Sequence, residues 1–524
     1  MIQNRMKKMV QEISSLFLSL NKISIAIILI GLFVSFYSFF FFMSNKIFLI
    51  GSDAFYYISI ADSIVKYSEM RDITAIPSWP VKTPQNGIVF IHVILSLIGI
   101  GAKGRILSIV VINYLLYLSG IYPLYKIARF CGLKKGFPLI SLLSVYLGAW
   151  HMYRFNMLAL NDGFFNSLTV WFVYLVIKFV RDIDLLESSA FYKPAIKKML
   201  IIYLFVIVLV QFRLNASLVI GSAVISALLV KKYRVSALLI LGSLVLLFSF
   251  ILIYTLIEVP SLESSGLRRL YSMFWSSNVY TIKLQLWKIL PHLIAGLSGL
   301  TNPFATLLFT IFPLSMIYFG AKGIIEKNFS KVFIVIICLT ALWFTMSFPR
   351  ARYIWYIFPF IYLIILSLKR IRWVGYAFVL LVFLQSVQEF YIGFPRGPES
   401  KFWLHVYNHK ISLPENALLS THRRRHPYFI LGTRTYLGND NREAIRERFE
   451  APGIFMPELT LDLIKDNGSL FVLGNSTYID STLFQVNEIA ISNGYELRST
   501  PLTPDLDEFK GWGLVEISID NNIE

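Results

Sequence analysis

The sequence predicts an all-α polytopic membrane domain followed by a small soluble α/β domain. Hydrophobic residues make up 56% of the 524 residues, and the mean hydropathy is +0.63. A water-soluble protein of this length cannot bury so much apolar surface in one core. The apolar residues come in runs of roughly 17–25, the length that crosses a bilayer as a helix. These runs stop near residue 392, so we divide the chain into a transmembrane domain, 1–392, and a C-terminal domain, 393–524.

About eleven transmembrane helices are predicted from the apolar runs and the basic loops between them. The predicted spans are 22–44, 104–125, 136–150, 163–180, 199–211, 214–230, 235–257, 301–320, 332–348, 353–368 and 373–391. Every loop that this order places in the cytoplasm is basic, as the positive-inside rule requires. The N-terminus is then cytoplasmic and the C-terminal domain extracytoplasmic, in a plasma or inner membrane. An apolar stretch at 281–300 leaves a count of twelve or thirteen spans open.

The charge of the chain fits this topology. The net charge is +18, which in a soluble protein would suggest nucleic acid as a partner. Here the basic residues lie mostly in short loops between apolar runs, so we expect no nucleic-acid partner. The only cysteines are Cys131 and Cys338, which are too few for a disulfide framework or a cysteine metal cluster.

Two parts of the chain are predicted to lie outside the membrane on its outer side. The segment 51–103 carries several charges and prolines, so most of it cannot be buried in lipid. Within it, residues 88–100 predict a short helix in or dipping into the outer leaflet. In the C-terminal domain, strand patterns at 417–420, 428–432, 469–473 and 514–519 alternate with helical patterns at 441–450, 457–466 and 479–493. This alternation is typical of an α/β domain.

Two carboxylates lie at the outer membrane boundary in this topology. Asp53 directly follows the first span, and Asp162 lies in the second outer loop. A carboxylate at this depth can act as a general base on the hydroxyl or amine of an acceptor. Each aspartate taken alone is explained as well by a solvated loop residue or a helix cap. Two acidic residues at matching depths can share one acceptor or one divalent metal ion, Mg²⁺ or Mn²⁺.

Arginines in outer loops run against the positive-inside trend. Arg350 and Arg352 lie in an outer loop only a few residues long. Guanidinium groups bind phosphate oxygens through two parallel hydrogen bonds, and a polyprenyl phosphate would present its anion at this depth. Anchoring to lipid headgroups is the alternative. Lys82 and Arg268, in the two long outer segments, are further phosphate candidates that surface anchoring explains as well.

The layout resembles the GT-C glycosyltransferases, which include protein O-mannosyltransferases, aminoarabinose transferases of lipid A and oligosaccharyltransferases. The resemblance covers the membrane part and rests on Asp53 with Tyr56 and Tyr57, the turn 84–87 before a short apolar helix, Asp162, and Arg352-Tyr353 before a span that contains Pro359. It implies transfer of a sugar from a polyprenyl-phosphate donor to a lipid, glycan or protein acceptor on the extracytoplasmic face, with inversion.

The resemblance also implies residue roles. Asp53 matches the catalytic first-loop aspartate of the family, Asp162 its second-loop acidic residue, and Arg352 the basic residue near the donor phosphate. Tyr57, its neighbour Tyr56, and Tyr353 stand beside these positions and are expected to bind substrate.

The sequence departs from the family pattern in three places. The first loop has one aspartate instead of an Asp-Glu pair, the second has Asn161-Asp162 instead of Asp-x-Asp, and the C-terminal domain lacks a Trp-Trp-Asp motif. These departures favour transfer of a single hexosyl or pentosyl unit over oligosaccharide transfer, and they leave metal dependence open.

Two other functions remain as alternatives. One is a transporter or flippase for a lipid-linked glycan, and the other is an O-antigen-type polymerase or ligase. Transporters usually show inverted repeats and charges at the middle of the membrane. Here the charges lie at the outer rim and no repeat is visible, which favours the glycosyltransferase.

Overall fold

The fold was obtained as a computed structural model. It describes residues 22–44, 52–73, 75–76, 79–80, 87–134, 136–148, 160–184, 192–213, 216–256, 303–347, 355–367, 376–377, 380, 383–384, 387, 398–411, 413–414, 418–421, 430–431, 435–437, 461, 464–465, 468–504 and 509–520.

The described residues form mostly helices, with a six-stranded sheet and a two-stranded sheet of β1 and β3. The helices are α1 (Lys22–Ser44), α2 (Ser52–Tyr67), α3 (Gly87–Leu97), α4 (Ala102–Ser119), α5 (Ile121–Phe130), α6 (Phe137–Gly148), α7 (Asn161–Asp184), α8 (Tyr192–Phe212), α9 (Ala216–Leu229), α10 (Tyr233–Leu256), α11 (Pro303–Ile325), α12 (Phe329–Ser347), α13 (Phe358–Ser367), α14 (Pro398–Asn408) and α15 (Ser476–Ser492). The strands are β1 (Arg71–Asp72), β2 (Ala75–Ile76), β3 (Trp79–Pro80), β4 (Leu418–Thr421), β5 (Thr435–Leu437), β6 (Ser469–Gly474), β7 (Leu497–Pro501) and β8 (Gly513–Ile519).

Helices occupy the predicted spans that the structure describes. The first predicted span, 22–44, coincides with α1, and the short helix predicted at 88–100 is α3. Within the described residues, two helical stretches are long and apolar enough to cross a membrane, Ala102–Phe130 and Asn161–Ile183. The other apolar helical stretches among these residues are shorter, with 10–17 residues. Most of the predicted last span, 373–391, lies outside the described residues, and the number of spans stays a prediction.

The helices share one apolar core and expose an apolar outer surface. The core contains buried side chains from α2 through α13. Helix α1 packs along α6, where the backbone of Gly31 comes so close to Ser144 that an added Cβ would lie 3.2 Å from it. Phe33 on α1 is 69% exposed and Leu204 on α8 is 58% exposed. Large apolar side chains that face outward on several helices are typical of a surface covered by lipid.

The sheet has six strands in the order β2-β5-β4-β6-β8-β7. The four strands from β2 to β6 are parallel neighbours, whereas β8 is antiparallel to β6 and β7 is antiparallel to β8. Alternate residues of β6 face opposite sides of the sheet. Leu470 belongs to an apolar cluster with Val486 of α15, and Phe471 to a cluster with Trp403 of α14. Helices therefore cover both faces.

The predicted strands at 417–420, 469–473 and 514–519 correspond to β4, β6 and β8, and the helix at 479–493 corresponds to α15. The strand predicted at 428–432 is wrong where it is described, because Ile430 is helical. Strands β5 and β7 were not predicted, since β5 has three residues and β7 is largely exposed and lacks an apolar face. The predicted helix at 441–450 lies outside the described residues.

One strand of this sheet comes from the first outer segment. In β2, Ala75 is the parallel partner of Thr435 in β5, and Ile76 is the partner of Tyr436. Strands of one sheet must lie on the same side of a membrane, since backbone hydrogen bonds join them directly. The segment between the first and second predicted spans is therefore on the same side as the strands after residue 417.

We predict that Ala75→Cys with Thr435→Cys forms a disulfide. Paired strands place their Cα atoms about 5 Å apart, within the range that a disulfide bridges. Cys131 and Cys338 are buried and free, so they should not compete. The measurement is a non-reducing gel shift after mild oxidation and cleavage of the intervening chain. Ala75→Cys with Ser499→Cys is the control, because Ser499 lies in β7 at the opposite edge of the sheet. Equal cross-linking of both pairs would contradict the sheet order.

Candidate functional site

The second-loop carboxylate is buried in an ion pair. Asp162 lies in the first turn of α7, and its side chain is 4% exposed. A guanidinium nitrogen of Arg213, which directly follows α8, donates a hydrogen bond to Oδ1 of Asp162. A carboxylate removed from water needs such a partner to stay charged. The pair joins the start of α7 to the end of α8.

The neighbouring residue, Asn161, connects two further helices. Its side-chain NH₂ donates to the hydroxyl of Tyr57 on α2, with 3.1 Å between nitrogen and oxygen. Its side-chain oxygen accepts from the backbone N–H of Ile88, at 3.3 Å. The first-turn amides of a helix have no partner within the helix, so this bond caps α3 from outside. Asn161 and Asp162 together tie α7 to α2, α3 and α8.

The first-loop aspartate lies on the helix that Asn161 contacts. Asp53 is the second residue of α2, which begins at Ser52, so Asp53 lies inside the helix and does not cap it from outside. Residues four apart lie on the same face of a helix, so the position of Asp53 is one turn from Tyr57. The structure therefore brings the helix of the first carboxylate against the start of the helix that holds the second.

A glycine permits close packing beside this network. An added Cβ on Gly87 would lie 2.7 Å from the ring of Phe212, the residue before Arg213. The Phe212 ring stacks on the ring of Phe164 in α7, with centroids 4.9 Å apart. The close approach of α3 and α8 thus fixes the end of α8 from which Arg213 reaches Asp162.

A second ion pair lies on α2. A guanidinium nitrogen of Arg105 in α4 donates to Oδ1 of Asp62 at 2.6 Å, and the two side chains are 4% and 15% exposed. His92 of α3 is fully buried nearby. Helix α3 has 11 residues and is too short to span a membrane. Burial, with the charge of Arg105 as the second cause, lowers the pKa of His92 to about 3, so its imidazole is neutral at neutral pH.

The predicted site residues fall into two groups. Asp162 and Tyr57 belong to the network, and the ring of Tyr56 lies 5.9 Å from that of Tyr57. The remaining candidates for phosphate or substrate binding lie outside the described residues and stay predictions; they are Lys82, Arg268, Arg350, Arg352 and Tyr353.

Sequence reasoning missed both arginines that form these two ion pairs. Arg213 lies in the outer turn between the predicted spans 199–211 and 214–230, and Arg105 lies at the outer start of 104–125. Both are exceptions to the positive-inside rule, the same signal that pointed to Arg352. The same departure from the positive-inside rule could have identified Arg105 and Arg213 as candidates from the sequence.

The ion pair limits what Asp162 can do chemically. Oδ1 of Asp162 already accepts a hydrogen bond from Arg213, so this carboxylate suits orientation of the acceptor better than proton abstraction. No group of three or more histidine, cysteine, aspartate or glutamate side chains is placed to hold a metal ion among the described residues. A metal ion shared by Asp53 and Asp162 would have to compete with Arg213 for Oδ1.

Removal of Arg213 should destabilise the fold. We expect Arg213→Met to lower the free energy of unfolding by about 3–5 kcal/mol, because it leaves a buried carboxylate unpaired. The double variant Asp162→Leu with Arg213→Met should recover most of this loss. Thermal unfolding in detergent measures both. The control is Lys198→Met, whose pair with Asp182 is about one-third exposed and should matter by less than about 1 kcal/mol. Equal loss in the single and double variants would contradict the pairing argument.

Comparisons with known proteins give a fold and no family match. No protein-family model matches the sequence, and no curated protein matches it significantly. The fold is similar to that of ArnT from Cupriavidus metallidurans in the apo state, with a TM-score of 0.52 and 14% identity over 90% of this chain and 96% of ArnT. It is also similar to the apo oligosaccharyltransferase of Archaeoglobus fulgidus, with a TM-score of 0.50 and 13% identity over 88% of this chain and 71% of the enzyme.

Another structure of ArnT from C. metallidurans, bound to undecaprenyl phosphate, has a TM-score of 0.44 and 15% identity over 94% of this chain and 97% of ArnT. The first two similarities show that the chain has a GT-C fold. This confirms the fold resemblance that the outer-loop motifs indicated.

Proposed function

We propose that the protein is an integral membrane glycosyltransferase. It moves one hexosyl or pentosyl unit from a polyprenyl-phosphate donor to a lipid, glycan or protein acceptor on the extracytoplasmic face. The observation that carries the proposal is the contact of Tyr57 with Asn161, which brings the helix of Asp53 against the start of α7, where Asp162 lies. The fold alone supports many chemistries, so the argument rests on this site.

The comparison supports the choice of donor. ArnT of C. metallidurans, which shares the fold, has been solved with undecaprenyl phosphate bound. A polyprenyl phosphate keeps its tail among apolar helices and its phosphate at the membrane surface. In this chain, the apolar helices and the polar network at their outer ends suit such a ligand.

Asp53 is the proposed general base. It accepts the proton of the acceptor hydroxyl or amine as the acceptor oxygen or nitrogen bonds to the anomeric carbon. The bond from that carbon to the donor phosphate oxygen breaks, and the polyprenyl phosphate leaves with the electron pair. Attack from the face opposite the leaving group inverts the anomeric centre. Asp162, held by Arg213, orients the acceptor.

Arg352 is the proposed partner of the leaving phosphate, with Arg350 beside it. The phosphate gains negative charge as the glycosidic bond breaks, so a fixed guanidinium stabilises the transition state more than the ground state. Lys82 and Arg268 are further candidates for this contact. These assignments come from the sequence and the family resemblance.

The proposed orientation follows the basic loops. The N-terminus is cytoplasmic, and the six-stranded sheet is extracytoplasmic with the site. Strands β2 and β5 belong to this sheet, so the first outer segment and the C-terminal strands must lie on the same side of the membrane.

Replacing the base tests the proposal most directly. Asp53→Asn keeps the size of the side chain but removes the base, so turnover should fall by about two to four orders of magnitude. Asp162→Asn should reduce turnover less if it only orients the acceptor. The measurement is the initial rate of sugar transfer by purified protein from a short-chain polyprenyl-phosphate sugar. Asp182→Asn, at the opposite end of α7 in an ion pair that is about one-third exposed, is the matched control.

The same sugar-transfer assay tests whether the reaction depends on a metal ion. If Asp53 and Asp162 share a divalent ion, EDTA abolishes transfer and both variants are impaired alike. If they do not, EDTA changes nothing. Normal turnover of Asp53→Asn would remove the proposed base in either case.

The phosphate partner is tested separately. Arg352→Ala should raise the barrier by roughly 2–4 kcal/mol, the usual effect of losing one donor to developing charge. Arg352→Lys should stay impaired, because an ammonium group lacks the planar fork. Initial rates and donor affinity are compared for these variants, for the double variant with Arg350→Ala, and for Arg268→Ala and Lys82→Ala. Normal turnover of Arg352→Ala with impaired Arg268→Ala or Lys82→Ala would place the phosphate in a long outer segment.

A further inference from the structure

The ion pair of Asp62 and Arg105 has no part in the transfer chemistry described above. We propose that these two are positioning residues, which set the rotation of α2 about its axis and thereby the placement of Asp53. This inference rests on the proposed function, since it assigns a role toward the same reaction.

The geometry of α2 carries the first step. A helix turns by 100° per residue, so Asp62, nine residues after Asp53, lies half a turn away on the opposite face. Tyr57, four residues after Asp53, lies on nearly the same face as Asp53. Arg105 therefore holds the helix from one side through Asp62, at 2.6 Å, and Asn161 holds it from the other side through Tyr57, at 3.1 Å.

The second step concerns stability. The ion pair has a free-energy cost, and α2 does not need it to pack against α4. Phe55 and Ile58 of α2 and Ile106 of α4 are fully buried in one apolar core, which already provides contact area. Among the described residues, Nε and Nη1 of Arg105 are buried without a hydrogen-bond partner, and so are both ring nitrogens of His92. Buried polar atoms without partners cost free energy. Apolar residues of similar volume would be as stable here or more stable.

The third step concerns the direction of the ion pair between Asp62 and Arg105. Apolar contacts tolerate small rotations of a helix, whereas a hydrogen-bonded ion pair fixes the approach of two particular atoms. Helix α2 packs along α3, and Arg105 reaches it from α4. A rotation of α2 would break either this pair or the bond from Asn161 to Tyr57. Because a displacement of about 1 Å at a reacting group can slow a reaction about 100-fold, such a fixation matters for a base.

The test separates stability from positioning. Asp62→Leu and Arg105→Met are made singly and together, and kcat, KM and the melting temperature in detergent are measured. Each single variant should lose stability, because it removes the ion-pair partner of the charge that remains. The double variant should regain the wild-type melting temperature. Its kcat should stay about 10- to 100-fold low, with KM changed by less than about twofold since donor binding is retained. Arg105→Lys should give an intermediate kcat.

A matched control removes an ion pair far from α2. Glu326 and Lys331 pair at the turn between α11 and α12, and the double variant Glu326→Leu with Lys331→Met should keep its kcat. A wild-type kcat in the Asp62→Leu with Arg105→Met double variant would overturn the proposal.

An activity-independent readout distinguishes this proposal from the proposed function. Amide hydrogen exchange across 56–61, the first amides of α2 that bond within the helix, should accelerate in the double variant at an unchanged melting temperature, because one of the two polar contacts that fix α2 is lost. If the wild type transfers no sugar, the proposed function fails while exchange still reports on the helix. Unchanged exchange would overturn the positioning role whatever the assay shows.

Discussion

The need to pair buried charges organises the part of the fold around α2 and the start of α7. Asp162 is almost fully removed from water, and Arg213 is the cation that pairs with it there. The same constraint couples Asp62 to Arg105. Each pair joins residues more than 40 positions apart in the chain, 51 and 43 respectively. Apolar packing accounts for the adhesion of these helices, and the ion pairs account for their alignment.

Helix α2 is the element on which these constraints converge. It carries Asp53 in its first turn, meets α7 through Tyr57 and is held from α4 through Asp62. The segment that follows it contributes β2 to the edge of the six-stranded sheet. A cation–π contact of Lys103, in the first turn of α4, with the ring of Tyr407 in α14 adds another link, at 5.1 Å. The segment after α2 and the C-terminal domain are thus joined directly by a strand pairing and a ring contact.

Local signals predicted the helices well and the sheet less well. Apolar runs located α1, α3 and α7 within a few residues, because hydrophobic length and periodicity are properties of consecutive residues. Strands β4, β6 and β8 were found for the same reason. Strand β2 has two residues, and it exists only because β5 offers an edge to which it hydrogen-bonds. Local sequence analysis of 75–76 cannot detect β5, because β5 lies at 435–437, far along the chain.

The sequence by itself determined that the chain is a bundle of apolar helices with candidate carboxylates at Asp53 and Asp162, and its motifs indicated the fold class that the comparisons confirm. The tertiary structure decided that Asp162 is bound to Arg213 and that Asn161 joins α2 to α3. The physical reason is that hydrophobicity and charge bias act along the chain, whereas an ion pair depends on which distant helices come into contact.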